Sequence, residues 1–295
     1  MKHAWLVSVL IVSWVAGAAF AQETAPKQYA LCYNPQAELV VQQQLNADVD
    51  KVSMENNPLG IAGWMKSNLQ CTVTALDAAT QRFTMTLALS DIQQAFNGQM
   101  MDGSKEACMV LQVSPLGEVE ADIEQLKTAD LTKLDQAGIP SQLLAVLCHL
   151  VRFPEHPVAI GEQWEVSPVL QLAPDTDPLA LNVTTQLVGV KEEREASLLS
   201  QLSMFVPSFK APNPLGYGGP VPIKNGELTV TDLAQTFDMQ SGVVTAAAGK
   251  ARFKAQVDMG GFPLNVQVDW SLAMRLRPEA DQPTTDIATQ PTTAD

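Results

Sequence analysis

The 295-residue sequence predicts a mainly β fold with a helical insertion: a long curved antiparallel sheet, or half-open barrel, wrapping an apolar helix. Three observations point there. Apolar and polar residues alternate with a period of two through most of the chain between Lys27 and Arg277, the pattern of strands with one buried and one wet face. A single stretch, Gln142–Val151, is apolar nearly all round, so it forms a helix that must be buried, and the sheet is the only surface available to bury it. The stretch Phe153-Pro154-Glu155-His156-Pro157 then forbids the helix to continue. Each proline removes an N–H donor and holds the residue before it extended.

The elements follow in order. Gln28–Tyr33 reads as a short first strand, stopped by Asn34-Pro35, and Leu39, Val41 and Leu45 mark a second. Met54–Gly63, with Asn56-Asn57-Pro58 and two glycines, reads as a loop or irregular crossover. Leu69, Cys71, Val73 and Ala75 share one face, as do Phe83, Met85, Leu87 and Leu89 after a turn at Asp77–Gln81. Ala107–Val113 and Glu118–Ile123 form a hairpin about Ser114-Pro-Leu-Gly117. A helical insertion spans about 123–152: Ile123, Leu126, Leu131 and Leu134 approximate helical spacing, and Ser141 caps the apolar helix Gln142–Val151. Ile160-Gly161-Glu162 turns the chain and delivers Trp164 into the second half of the sheet.

Leu179–Val190 and Ala196–Val206 bracket a charged tip, Lys191–Glu195. Pro207–Asn225, with five prolines and Leu215-Gly-Tyr217-Gly-Gly219, reads as one long loop in which Tyr217 is a candidate lid residue. Gly226–Met239 and Val243–Met259 are strands about Gln240-Ser-Gly242, and their alternation changes phase near Asp232 and near Gly249, as bulges require. In the last hairpin, turned by Gly260-Gly261, Leu264, Val266, Val268, Trp270, Leu272, Met274 and Leu276 share one face.

Composition narrows the function. The chain carries 18 Lys and Arg against 32 Asp and Glu, a net charge of −14, which argues against nucleic-acid binding because that needs clustered cations to replace counterions. Residues 1–21 read as a cleaved signal peptide: a basic start, an apolar core, and Ala19-Phe20-Ala21 as the processing site. No later run is long and apolar enough for a spanning helix, so 22–277 is expected to be a single exported β-rich domain, periplasmic or extracellular. Residues 278–295, rich in Thr, Pro and Asp, form a disordered tail. Cys32, Cys71, Cys108 and Cys148 are candidate disulfide cysteines in an exported chain, and their pairing stays open.

The residue types that carry chemistry are sparse. Beyond the signal peptide the histidines are His149 and His156, a helix-terminal and a loop histidine separated by six residues, so the H-E-x-x-H spacing that would aim two imidazoles at one metal is absent. Cys148 and His149 are adjacent, but neighbours on a helix point about 100° apart, so adjacency does not make a catalytic pair. No nucleophile elbow occurs. No catalytic, metal-binding or cofactor-binding residue is therefore assigned, and no cofactor is expected. Phe83, Trp164, Phe253 and Trp270 are the candidates for core or for an apolar, ligand-facing surface.

Phe153-Pro-Glu-His-Pro-Val-Ala-Ile-Gly-Glu-Gln-Trp164 resembles the signature of exported bacterial proteins of unknown function, and Thr236-Phe-Asp-Met-Gln-Ser-Gly-Val243 is similar to another recurrent piece of them. The resemblance implies a fold similar in outline to the periplasmic lipoprotein carriers and brings no catalytic residues with it. The expected function is a non-enzymatic exported envelope protein that binds a hydrophobic or lipid-like ligand in the concave face of the sheet. Two alternatives stand beside it: a structural or interaction module with envelope proteins as partners, and a hydrolase built on carboxylates or on the two histidines.

Overall fold

Apolar side chains at every second position are buried only if successive strands pair side by side. In the computed structural model they do so across the described residues, 26–36, 38–77, 81–101, 106–120, 141–167, 169–170, 179–211, 221–258 and 261–277. The first half of the chain supplies β1 (Gln28–Tyr29), β2 (Val40–Met54), β3 (Asn57–Leu59), β4 (Gly63–Leu76), β5 (Phe83–Phe96), β6 (Gln99–Met100), β7 (Glu106–Val113) and β8 (Val119–Glu120). The helix α1 (Ser141–His149) and the short β9 (Val158–Ala159) lead into the second half. That half comprises β10 (Gln163–Val166), β11 (Val169–Leu170), β12 (Leu179–Lys191), β13 (Glu195–Ala211), β14 (Val221–Asp238), β15 (Val243–Asp258) and β16 (Pro263–Leu276).

Fourteen of these strands make one antiparallel sheet in the order β10-β12-β13-β14-β15-β16-β2-β4-β5-β7-β8, with β3, β6 and β11 added along it. Two meanders are thus stitched together where the last strand meets the second, Met274 opposite Leu45. The sheet stays open, with β10 and β8 at its ends, while β1 pairs with β9 apart from it. The helix α1 touches both β15 and the β5–β7 pair. Those strands lie four spacings apart, roughly 19 Å along a flat sheet, further than a helix ~10–12 Å across can reach. The sheet therefore curves around α1.

Inward residues of every long strand fill that curve. Leu45, Met65, Leu69, Phe83, Met85 and Leu87 in one meander, and Leu198, Leu228, Phe237 and Met274 in the other, are all buried. Leu144, Ala145 and Cys148 of α1 have no exposed surface, and each leucine so buried stabilises the fold by about 1.5–3 kcal/mol before chain entropy is counted. One rim of the core is aromatic. Tyr33 lies 5.3 Å from Phe153 and 5.4 Å from Phe237 (ring centroids), and Phe153 lies 4.8 Å from Phe237. This is what the Phe153–Trp164 stretch does: it leaves the helix, sends Phe153 into the rings, and hooks Trp164 back by an indole N–H donated to the Arg152 carbonyl at 2.6 Å.

Several sequence expectations change. The first strand pairs only over Gln28–Tyr29; beyond it Leu31, Tyr33 and Pro35 are buried without ladder pairing. Met54–Gly63 is no crossover: Glu55 and Asn56 take φ of 48° and 63° and fold Asn57–Leu59 back onto Val52–Met54, a turn that Asn suits because it tolerates the left-handed region. The 207–225 loop is shorter than its prolines imply, since Ser208–Ala211 pair with Val221–Lys224. Proline at β-ladder positions whose N–H is not needed is compatible with pairing. The two expected phase changes are one bulge: Asp232, at φ 52°, and Leu233 bulge between pairs Thr231–Lys250 and Ala234–Ala248, opposite Gly249. Of the seven apolar residues on the last strand, Trp270, Leu272 and Met274 are buried, while Leu276 is exposed. The strand outruns the main core, and its register against β2 shifts at Asp269–Trp270. The signal peptide, the 123–134 helical spacing, Tyr217 and the 278–295 tail lie outside the described residues.

Candidate functional site

Beside α1 the curved sheet leaves a cleft of about 370 Å³. One wall is the outer side of the helix and its exit, Val146, Leu147, Leu150 and Val151; the facing wall is Leu181, Val183, Leu202 and Leu233 of β12–β14. Gly117 and Val119, near the β8 end of the sheet, line the same cleft. The two open ends of the sheet therefore face each other across it. Among its lining residues the charged ones are Arg82, Glu118 and Arg152. Glu118 accepts from Arg152 Nη2 at 3.0 Å and stands 3.9 Å from Arg82 Nη2.

The helix beside the cleft is held by polar side chains that point inward among apolar ones. Tyr33 Oη donates to the His149 carbonyl at 2.8 Å and accepts from Val151 N–H at 2.8 Å. Gln235 Nε2 donates to the Cys148 carbonyl at 3.1 Å, Ser200 Oγ donates to Gln235 Oε1 at 3.2 Å, and Thr185 and Ser200 hydroxyls are 3.0 Å apart. The last carbonyls of a helix have no intrahelical partner, and here Tyr33, from the segment after β1, and Gln235 of β14 supply it. Thr185, Ser200 and Gln235 line the cleft as well, as a polar strip with its hydrogen bonds mutually satisfied.

His149 is fully buried, with Nδ1 3.2 Å from the Ala145 carbonyl and Nε2 2.8 Å from Gln43 Oε1. Gln43 is oriented by its amide N–H groups, which donate to the carbonyls of Val244 and Thr245 at 2.9 and 3.3 Å. A neutral imidazole carries one N–H, and the shorter contact assigns it to Nε2. Burial pushes the imidazole pKa down to about 4, offset in part by the Ala145 carbonyl. His156, by contrast, is exposed and meets Glu162 Oε1 at 3.2 Å, while Glu162 Oε2 accepts from Ala159 N–H. The two histidines are not brought together, and among the described residues no group of three His, Cys, Asp or Glu is placed to hold a metal ion.

The residues singled out from the sequence are mostly elsewhere. Phe83, Trp164 and Trp270 are core, Phe253 is half-buried against a small cluster with Ile223, Ala255 and Val257, and none of the four lines the cleft. All four cysteines are free thiols: Cys32 and Cys108 are exposed, whereas Cys71 and Cys148 lie in the core, where burial pushes each thiol up to about 12. What the sequence reading missed is the set of inward-pointing polar side chains that hold the helix end. Its signal was a polar residue in phase with an apolar stripe: Gln43 with Leu45 and Ala47, Ser200 with Leu198 and Leu202, Gln235 with Leu233 and Phe237.

The architecture defines the protein as a mainly β chain with an open antiparallel sheet around a helix. No protein-family model and no curated protein matches the sequence. Among solved structures, one of lipovitellin, concerned with lipid–protein interactions, aligns at TM-score 0.44 and 10% identity over 85% of this chain. The chain spans only 27% of that lipovitellin chain. DynF from the dynemicin biosynthesis pathway of Micromonospora chersina aligns at TM-score 0.27 and 7% identity, over 88% of this chain and 93% of its own. No helix among the described residues is long and apolar enough to cross a membrane.

Proposed function

We propose that this is a non-enzymatic exported envelope protein, periplasmic or extracellular, that binds a hydrophobic or lipid-like small molecule between α1 and the β12–β14 wall. The observation that carries the reading is the cleft itself. Beside the buried helix a cleft of about 370 Å³ with largely apolar walls is left, within the ~300–1,000 Å³ typical of small-molecule sites. Likeness in outline to the periplasmic lipoprotein carriers belongs to the same proposal and is supported by a curved sheet with an apolar concave face.

The test is binding of the neutral fluorescent probe N-phenyl-1-naphthylamine, together with solvent extraction and mass spectrometry of the purified protein. Wild-type protein enhances the probe's fluorescence saturably. Val183→Trp, which fills a half-buried cleft position with a large ring, abolishes the enhancement while near-UV circular dichroism stays native. A wild-type protein that is silent to the probe and carries no extractable lipid refutes the reading.

A further inference from the structure

We propose that the outer face of the sheet carries an oxyanion site, formed by Lys66 and Arg277, that takes the phosphate group of a hydrophilic phosphate monoester. Where β16, β2, β4 and β5 run side by side, that face holds a pocket of about 350 Å³. The pocket shares no residue with the apolar cleft, and every residue around it is polar. An acyl chain would strip water from those groups without replacing its hydrogen bonds. Strand register builds the pocket. Gln44 lies opposite Asn68, and Lys66 opposite Gln93, which brings each pair to within roughly 5 Å at Cβ. Lys66 and Asn68 share the outer face of β4, while Met65, Ser67 and Leu69 point to the core. Between the pairs Lys66–Gln93 and Asn68–Ser90 the single residue Ser67 faces two, Asp91 and Ile92, and Asp91 stands at φ 50°. Such bulges re-aim side chains, and here Asn68 Nδ2 donates to Asp91 Oδ2 at 2.6 Å. The Ser67 hydroxyl is shut off from solvent and takes no part.

The two cations set this pocket apart. Lys27, Arg152, Arg194, Lys224 and Arg252 are each engaged in an ion pair, in a chain whose net charge is −14. Lys66 is exposed and Arg277 half-buried, and neither side chain has a hydrogen-bond or ionic partner among the described residues. Gln44 Oε1 accepts from Arg275 Nη2 at 3.4 Å, which leaves the Gln44 amide N–H groups to face the pocket. One carboxylate, Asp91, stands against the two cations, and its Oδ2 is already taken by Asn68. Lysine offers three donors and arginine five. A phosphate group answers them with three acceptor oxygens and close to two negative charges, where a carboxylate has two oxygens and one charge. At roughly 30 Å³ per water-sized group, the pocket is larger than a free phosphate ion needs and has room for the molecule that bears the group.

The experiment is calorimetric titration of the purified protein, at low ionic strength, with glucose 6-phosphate, inorganic phosphate and glucose. Wild type binds glucose 6-phosphate, binds inorganic phosphate more weakly, and gives no heat with glucose. Lys66→Gln and Arg277→Gln each weaken glucose 6-phosphate roughly ten-fold or more, the effect of losing one charge-assisted contact. Lys254→Gln removes the same charge from an exposed lysine elsewhere on the outer face and leaves the affinity unchanged. Asp91→Asn keeps a residue that tolerates positive φ and removes the competing carboxylate, so the affinity rises. No binding of either phosphate compound, binding of glucose as tight as of its phosphate, or an equal loss in Lys254→Gln overturns the site. Inorganic phosphate binding as tightly as the ester overturns the monoester assignment in favour of the free ion. None of these substitutions touches the cleft, so binding of N-phenyl-1-naphthylamine stays as in wild type, and the two sites stand or fall separately.

Discussion

Tyr33→Phe removes a single oxygen from the most connected point of the fold, and its cost follows from the contacts. The hydroxyl is fully buried, donates to His149 O and accepts from Val151 N–H, both at 2.8 Å. Burial also raises its pKa well above the ordinary tyrosine value, so it is a neutral donor at every working pH. The phenyl ring keeps its packing against Phe83, Phe153 and Phe237. The substitution therefore isolates the loss of two hydrogen bonds and leaves one backbone donor and one acceptor unpaired in the core. At ~1–3 kcal/mol for each orphaned group, the loss is about 2–6 kcal/mol. Urea unfolding measures it as a lowered midpoint with an unchanged slope. Because Val151 and Arg152 line the cleft, the probe's affinity falls in the same variant. A midpoint displaced by less than ~0.5 kcal/mol would refute the argument, since water or a shifted backbone would then be satisfying the helix end.

Other outcomes follow from the same geometry. Gly117→Ala places a methyl group onto the Val151 carbonyl oxygen at φ 81°, and should cost ~3 kcal/mol or more by thermal unfolding; a neutral result would mean the Ser114–Gly117 turn does not pack on the helix exit. Trp270→Ala opens a hole at a side chain 3% exposed and should cost ~3–5 kcal/mol, whereas Trp270→Phe costs less because the indole N–H has no partner among the described residues. His149, with a pKa lowered from 6.5 to about 4, makes the unfolded chain the better proton binder between those values. Stability therefore falls as pH drops from 6.5 to 4, by about 3 kcal/mol in all, and is indifferent to this residue above 6.5. Subtracting the pH profile of His149→Gln from that of wild type should reveal this slope; identical profiles would mean the imidazole is not neutral in the fold.

Sequence periodicity alone determined the strands, the buried helix and the joint between them. The reason is local: a side-chain period of two fixes which face is buried, an apolar surface on every side of a helix demands burial, and prolines at 154 and 157 stop it whatever surrounds it. The Asp232 bulge was legible for the same reason, since an extra residue inverts the pattern downstream. Strand ends were not legible, because Asn57–Leu59 and Ser208–Ala211 are extended by partners rather than by their own sequence. The site was not legible either. Arg82, Glu118 and Arg152 are ordinary charged residues in the sequence, and only the approach of β7–β8 to the helix exit brings them to one cleft. Gln43, Ser200 and Gln235 broke the apolar phase and so announced that something polar lay inside. What they bind is a matter of three-dimensional closure that no local pattern encodes: Gln235 reaches the Cys148 carbonyl at the helix end, Ser200 holds Gln235, and Gln43 meets the His149 imidazole.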